Sequence, residues 1–195
     1  MTSVEGRPLD DTSLIRDAKA GDVSAYEQLV RLHQPVALRV AYLVMRDHAE
    51  AEDAAQDAFV KAYQALDRLA PDRPFRPWIL AIVRNEALNR RRRAGRQARL
   101  QLRVAGEAVS GDSARSPESL ALDADRHRRL LAAVDRLPDR FAEAIGLRFL
   151  VGLSEAETAT TLGVPVGTIK SRTARALQRL RRDIGTDPWF KEEAS

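Results

Sequence analysis

The sequence predicts an all-α protein of two small helical domains joined by a flexible linker. Apolar residues recur at three- and four-residue spacing through most of the chain, and no alternating strand pattern competes. Aromatic residues make up only 5% of a chain that is 44% hydrophobic. A core built from Ala, Leu, Val and Ile suits small helical layers better than a sheet sandwich, which favours β-branched and aromatic residues. A stretch rich in Gly, Ser and Pro with little apolar periodicity, 94–118, separates the two helical blocks. At 195 residues the chain holds one ordinary domain or two small ones and is too short for an elaborate multidomain enzyme.

In the first block, 12–94, Asp22 or Ser24 and Asp47 are candidate helix starts, because their side chains can accept hydrogen bonds from exposed amides. Asp47 and Glu50 have capping-box spacing. Tyr26, Leu29, Val30, Leu38, Val40, Ala41, Leu43 and Val44 recur at helical intervals around Pro35, which is expected to kink or restart the helix. His48–Leu69 reads as one amphipathic helix. Ala70–Pro77, with three prolines, reads as a loop, and Trp78–Arg93 as a further helix. After the linker, 95–118, a second block covers 119–185, with breaks at Leu137-Pro138, Val151-Gly152 and Gly163-Val164-Pro165. A tail, 186–195, carries Trp189 and Phe190, for which local packing is expected.

The absence of cysteine excludes disulfides, thiolate metal sites and cysteine nucleophiles. No apolar run reaches membrane-spanning length, and the N-terminus lacks the basic and apolar regions of a signal peptide. A soluble, cytoplasmic protein without membrane insertion is expected. His33, His48 and His127 are scattered, so no metal or cofactor is expected.

The strongest local signal is Leu153–Arg182. Ser154 and Glu157 can form a capping box, Gly163 permits a tight turn, and Pro165 suits the first turn of the next helix. This is the grammar of a helix-turn-helix. Val166, Ile169, Ala176, Leu177, Leu180 and Ile184 form an inward stripe. Residues 165–182 hold six basic side chains and no acidic one. A charged helix face is usually a solvated face. Here the short preceding helix and the turn favour a major-groove reader, which needs short polar or guanidinium groups near its N-terminus and further cations for phosphates. Thr168, Lys170, Ser171, Arg172, Arg175 and Arg179 meet that need. The Gly163–Ser171 spacing does not match a phosphate-binding loop.

A second basic segment, Arg84–Arg103, holds eight arginines and one acid, Glu86. Arg90, Arg91, Arg92 and Arg93 are consecutive, surround most of a helix and point to a polyanion. Trp78, Asn85 and Asn89 nearby can stack on or hydrogen-bond with unpaired bases. The alternatives are a core position for Trp78 and a helix C-terminus for the arginines. A third segment has the opposite sign: Asp47–Asp57 contains five acids and no Lys or Arg. Asp53, Gln56 and Asp57 share one face, a protein-docking or solvated surface rather than a catalytic dyad.

Together these segments resemble small extracytoplasmic-function (ECF) sigma factors of the sigma-70 type, over nearly the whole chain. The resemblance rests on Asp22–Val30 with Pro35, on His48–Tyr63, on Phe75–Ala87 and on Leu162–Arg172. It implies a sigma-two and a sigma-four domain and no catalytic site of the chain's own. It further implies that Asp53, Gln56 and Asp57 dock on the β′ clamp helices of core RNA polymerase, with the β subunit a second contact. Trp78, Arg84, Asn85, Asn89, Arg90, Arg91, Arg92 and Arg93 would engage and open the −10 element of promoter DNA. Thr168, Lys170, Ser171, Arg172, Arg175 and Arg179 would read or clamp the −35 element. An anti-sigma factor is an expected partner. Thr158, Thr161 and Thr173 depart from the family's aliphatic pattern, and each hydroxyl needs a backbone partner when buried. The alternative is a stand-alone helix-turn-helix regulator.

Overall fold

The computed structural model of the chain describes residues 11–70, 73–105, 132–134 and 136–185, with side chains described for all of these except 97–105, 184 and 185. Every regular element among them is helical: α1 (Asp11–Lys19), α2 (Val23–Met45), α3 (His48–Gln64), a 3-10 turn (Leu66–Arg68), α4 (Phe75–Ala105), α5 (Asp139–Ile145), a π-helical turn (Gly146–Leu150), α6 (Glu155–Leu162) and α7 (Val166–Gly185). The all-α expectation holds.

Local chemistry sets the boundaries. The Asp22 carboxylate accepts from the Ser24 and Ala25 amides at 2.8 and 3.3 Å and starts α2; bonds from Ser24 and Ala25 also lower its pKa. Arg46, in the left-handed region at φ 59°, ends the helix with its amide on the Tyr42 carbonyl. The next residue, Asp47, caps α3 by accepting from the Glu50 amide at 2.9 Å, so α2 reverses into α3 within two residues. Pro35 does not break α2. It lies on the exposed side with Arg31, whose carbonyl loses its amide partner where water can replace it, while buried Val36 and Ala37 hold the turn.

Three boundaries differ from expectation. α3 stops at Gln64 and the chain tightens into the 3-10 turn rather than continuing to Leu69. α4 begins at Phe75 instead of Trp78 and runs to Ala105, twelve residues beyond Arg93. Pro77 is accommodated because the first helical turn has no amide bonds to lose. The fully buried Phe75 and Ile79 tie that turn to the core.

The first core lies among α2, α3 and α4. α3 contributes the small face Ala51, Ala54, Ala55, Ala58 and Ala62, against which Leu29, Val40, Leu80 and Val83 pack from its neighbours. Small side chains let the helix axes approach. The Tyr26 hydroxyl donates to the Phe59 carbonyl at 2.6 Å, and burial pushes its pKa up. Buried Glu86 on α4 is paired with Lys61 on α3.

Leu147, Val151 and Leu153 also belong to this first core. Their anchorage fixes the π-helical turn and the start of α6 against α4. Ala133, Val134, Leu137, Phe141, Ile145, Ala176 and Leu180 form a second, smaller core between α5 and α7. In α7, Ile169, Ala176 and Leu180 face inward as expected, but Val166 is 41% exposed. It sits in the first turn beside the Gly163 corner, and burial starts three residues later. Ile184, as a side chain, and Trp189 and Phe190 lie outside the described residues.

Candidate nucleic-acid interface

The helix-turn-helix assembles from residues that each solve a local problem. Ser154 and Glu157 form the reciprocal capping box: the Glu157 amide donates to Ser154 Oγ at 3.1 Å, and the Ser154 amide donates to Glu157 Oε2 at 2.8 Å. Burial alone would raise the Glu157 carboxyl, but the Ser154 bonds and the charges of Arg76 and Arg148 bring it below its ordinary value. α6 ends at Gly163 with φ 66°, a left-handed conformation that glycine adopts without a Cβ penalty. α7 follows after two residues.

On α7, Lys170, Ser171, Arg175 and Arg179 are exposed, while Thr168 and Arg172 are half-buried. Ser171 Oγ donates to the Thr168 carbonyl at 3.0 Å. Lys170 lies 3.8 Å from Glu155, and the Arg179 guanidinium sits 5.0 Å over the Phe141 ring. The structure therefore gathers the six predicted residues on one helix, with Arg179 oriented by stacking. The threonines divide. Thr158 Oγ1 donates to the Ser154 carbonyl one turn back at 2.8 Å, whereas the buried Thr161 and Thr173 hydroxyls have no partner among the described residues.

The basic segment on α4 separates into three faces. Asn85, Asn89, Arg92 and Arg93 are exposed along one stripe, with half-buried Trp78 at its foot. Trp78 packs against the first core, its ring 5.6 Å from that of Phe75. It thus serves as the wall of the stripe as well as part of its surface. Exposed Arg96 continues the same stripe and was not among the predicted site residues; its i+4 spacing from Arg92 was the available signal.

Arg90 faces α3. Its guanidinium donates to Asp57 at 2.6 Å and lies 3.4 Å from Asp53 and 3.5 Å from Glu50, so the Asp57 hydrogen bond and the neighbouring acids raise its pKa. Arg84 and Arg91 face α5. Arg84 Nη2 bonds both Glu143 carboxylate oxygens at 2.7 and 2.8 Å, and its buried Nε has no partner among the described residues. Arg91 donates to the Val44 carbonyl at 3.4 Å and lies 3.6 Å from Asp139. Glu143 and Asp139 carry no sequence signal for this role, which depends on how α5 packs.

On α3, Gln56 and Asp53 are exposed and Asp57 is half-buried. Gln56 borders an open apolar groove of about 850 Å³ between α2 and α3, with Val23, Val60 and Tyr63 exposed beside it. No cluster of three or more His, Asp or Glu able to hold a metal occurs among the described residues. Among them no helix is long and apolar enough to cross a membrane.

Comparison with known proteins places both helical blocks. Residues 29–97 match the Sigma-70 region 2 family and residues 127–180 match Sigma-70, region 4. The ECF RNA polymerase sigma-E factor of Escherichia coli is 34% identical over 90% of this chain and 95% of its own. The RNA polymerase sigma-H factor of Pseudomonas aeruginosa is 32% identical over 93% and 96%. Among solved structures, CnrH in complex with the cytosolic domain of CnrY aligns with a TM-score of 0.66 and 30% identity, covering 91% of this chain and 98% of that one. The sigma factor RpoE of Bartonella quintana, in complex with the anti-sigma factor NepR, aligns with a TM-score of 0.64 and 28% identity, over 85% and 99%. A capped helix-turn-helix and an arginine-rich helix, each starting inside its own matched region, and relatives 32% and 34% identical over 93% and 90% of the chain make the chain a member of the extracytoplasmic-function group of sigma-70-type sigma factors, which direct RNA polymerase to promoters.

Proposed function

We propose that the chain divides its promoter-directing work among three surfaces. Residues 12–94 act as the sigma-two unit and 119–185 as the sigma-four unit, joined by 95–118. The α3 face bearing Asp53, Gln56 and Asp57 docks on the β′ clamp helices of core polymerase, and the sigma-four unit adds a contact to the β subunit. The α4 stripe of Trp78, Asn85, Asn89, Arg92 and Arg93 engages the −10 element. Arg84, Arg90 and Arg91 join it only where their carboxylate partners release them. α7 enters the major groove at the −35 element through Thr168, Lys170, Ser171, Arg172, Arg175 and Arg179.

The observation that carries this reading is the orientation of α7. Ile169, Ala176 and Leu180 are buried, and Lys170, Ser171, Arg175 and Arg179 are turned outward on the helix that follows the Gly163 turn. Tethering two modest DNA-binding surfaces to one polymerase raises their effective concentration, so neither needs to bind tightly alone. Opening the duplex costs a few kcal/mol for each extruded base. Stacking and hydrogen bonds along the α4 stripe offset that cost, so binding energy does the work and no catalytic residue is needed. The solved relative RpoE, in complex with the anti-sigma factor NepR, supports the expectation of such a partner here.

The docking assignment is tested with Asp53→Lys and Gln56→Lys, the exposed members of the α3 face. Loss of co-purification with core polymerase at unchanged helicity is expected. Unchanged association overturns the assignment.

A further inference from the structure

We propose that Phe141 is a positioning residue for promoter binding: its buried ring holds Arg140 of α5 and Arg179 of α7 as a two-armed clamp for backbone phosphates at the edge of the −35 groove. This inference rests on the promoter-directing reading above. Phe141 is 3% exposed and shares the second core with Ala176 and Leu180, so packing between α5 and α7 fixes its ring. Two guanidiniums lie over that ring, Arg140 at 4.9 Å and Arg179 at 5.0 Å from its centre. Both arginines are exposed, and neither has a carboxylate within ion-pair distance among the described residues. The ring attracts each cation through its negative face, but nothing there neutralises the pair. An anion completes the arrangement.

The surroundings favour a phosphate. Thr168, Arg172, Arg175, Arg179 and Arg182 follow one another at spacings of four and three, which puts them on one stripe of α7. From Thr168 to Arg179 is about 16 Å along the helix axis, more than the roughly 12 Å width of the major groove. A helix whose first turns reach base edges therefore brings Arg179 level with a strand backbone. Arg175, Gln178, Arg179 and Arg182 line an open recess of about 470 Å³ with no acidic side chain among them. Asp183 lies 3.8 Å from Arg182 but is not part of that lining. Guanidinium forks match phosphate oxygens. A free arginine loses side-chain freedom when it grips a phosphate, and one already held on a ring loses less. Phe141 thus raises affinity without touching DNA. Arg140 lies outside the basic run of 165–182, and only the fold brings it onto the ring that holds Arg179.

The experiment is the salt dependence of promoter-duplex binding by the full-length chain in complex with core polymerase. Arg140→Ala is expected to lower the slope of log affinity against log salt by about 0.9, the value for one phosphate contact on duplex DNA. Phe141→Leu removes no charge, yet it is expected to lower the slope by a similar amount, and Phe141→Tyr, which keeps the ring, to restore it. In a chain already carrying Arg140→Ala and Arg179→Ala, Phe141→Leu is expected to lower the slope no further. A merely structural role for Phe141 would weaken binding without touching the slope. Because Arg140 is exposed, its substitution tests the clamp even where Phe141→Leu fails to fold. A parental slope in Arg140→Ala, or a folded Phe141→Leu that loses affinity at an unchanged slope, overturns the clamp. So does an Arg140→Ala chain that keeps the slope but loses its hold on core polymerase, which would turn the pair toward an acidic protein surface. If the parent complex does not prefer promoter to unrelated DNA, the promoter-directing reading itself fails, and the clamp with it. Promoter-specific binding whose slope is indifferent to Arg140 sinks the clamp alone.

Discussion

Arg90 of α4 donates a 2.6 Å hydrogen bond to Asp57 of α3, joining a residue of the proposed −10 surface to one of the proposed polymerase-docking surface. Asp53 and Glu50 complete the ring of carboxylates around the same guanidinium. The acidic helix is thus partly neutralised from within. Arg90→Ala leaves three acids on one face without their shared cation. A stability loss of about 1 kcal/mol is expected at low ionic strength, modest because the carboxylates are largely exposed. High salt should shrink it. Arg90→Lys should recover less than half, since an ammonium is a point charge and does not fork between carboxylates. Urea unfolding at two salt concentrations checks both.

Thr161 offers a gain in stability. Its hydroxyl is buried with no partner among the described residues, and valine has nearly the same shape without the unsatisfied group. Thr161→Val should stabilise the protein by about 1 kcal/mol. Thr158→Val should not, because the Thr158 hydroxyl is satisfied by the Ser154 carbonyl. The pair of thermal melts separates the two.

The capping box predicts an acid response. Glu157 has a folded pKa below its ordinary value, so its contribution is fully present above the unfolded carboxylate value and is lost as pH falls through the lower, folded one. Removing the cap with Ser154→Ala should cost about 1 kcal/mol at neutral pH and progressively less as the pH drops through the carboxylate range. A cost independent of pH would show that the Glu157 charge takes no part. Unfolding curves across that range decide it.

The faces of α4 predict different signatures in single-stranded −10 DNA binding by the polymerase complex. Arg92→Ala and Arg93→Ala should each lower the slope of log affinity against log salt by about 0.7, the value for one phosphate contact on a single strand. Asn89→Ala should weaken binding with the slope unchanged, because an amide meets a base and releases no counterion. Titrations at several salt concentrations distinguish the two outcomes.

Where one residue's chemistry decides its local structure, the sequence was enough. Asp22, Asp47, Ser154 and Gly163 occupy the capping and turn positions their side chains predict, and Ile169, Ala176 and Leu180 face inward at helical spacing. Pro35 does not restart the helix, because its cost depends on which side of the helix it faces, and that is a tertiary matter. The run of four arginines announced a polyanion partner, yet two of them, Arg90 and Arg91, and nearby Arg84 point to acids on two other helices, α3 and α5. Glu143 and Asp139 were invisible because nothing local distinguishes a solvated acid from one that holds an arginine across the fold. Gly146 was equally unmarked: only the fold shows that a Cβ there would meet the Leu43 side chain.

The most direct measurement is transcription reconstituted from the purified chain, core RNA polymerase and a promoter library, with transcript ends mapped. Defined start sites that require both the chain and core polymerase, preceded by shared −10 and −35 sequences, are predicted. Tight operator binding by the chain alone, with no polymerase-dependent start sites, would contradict the account.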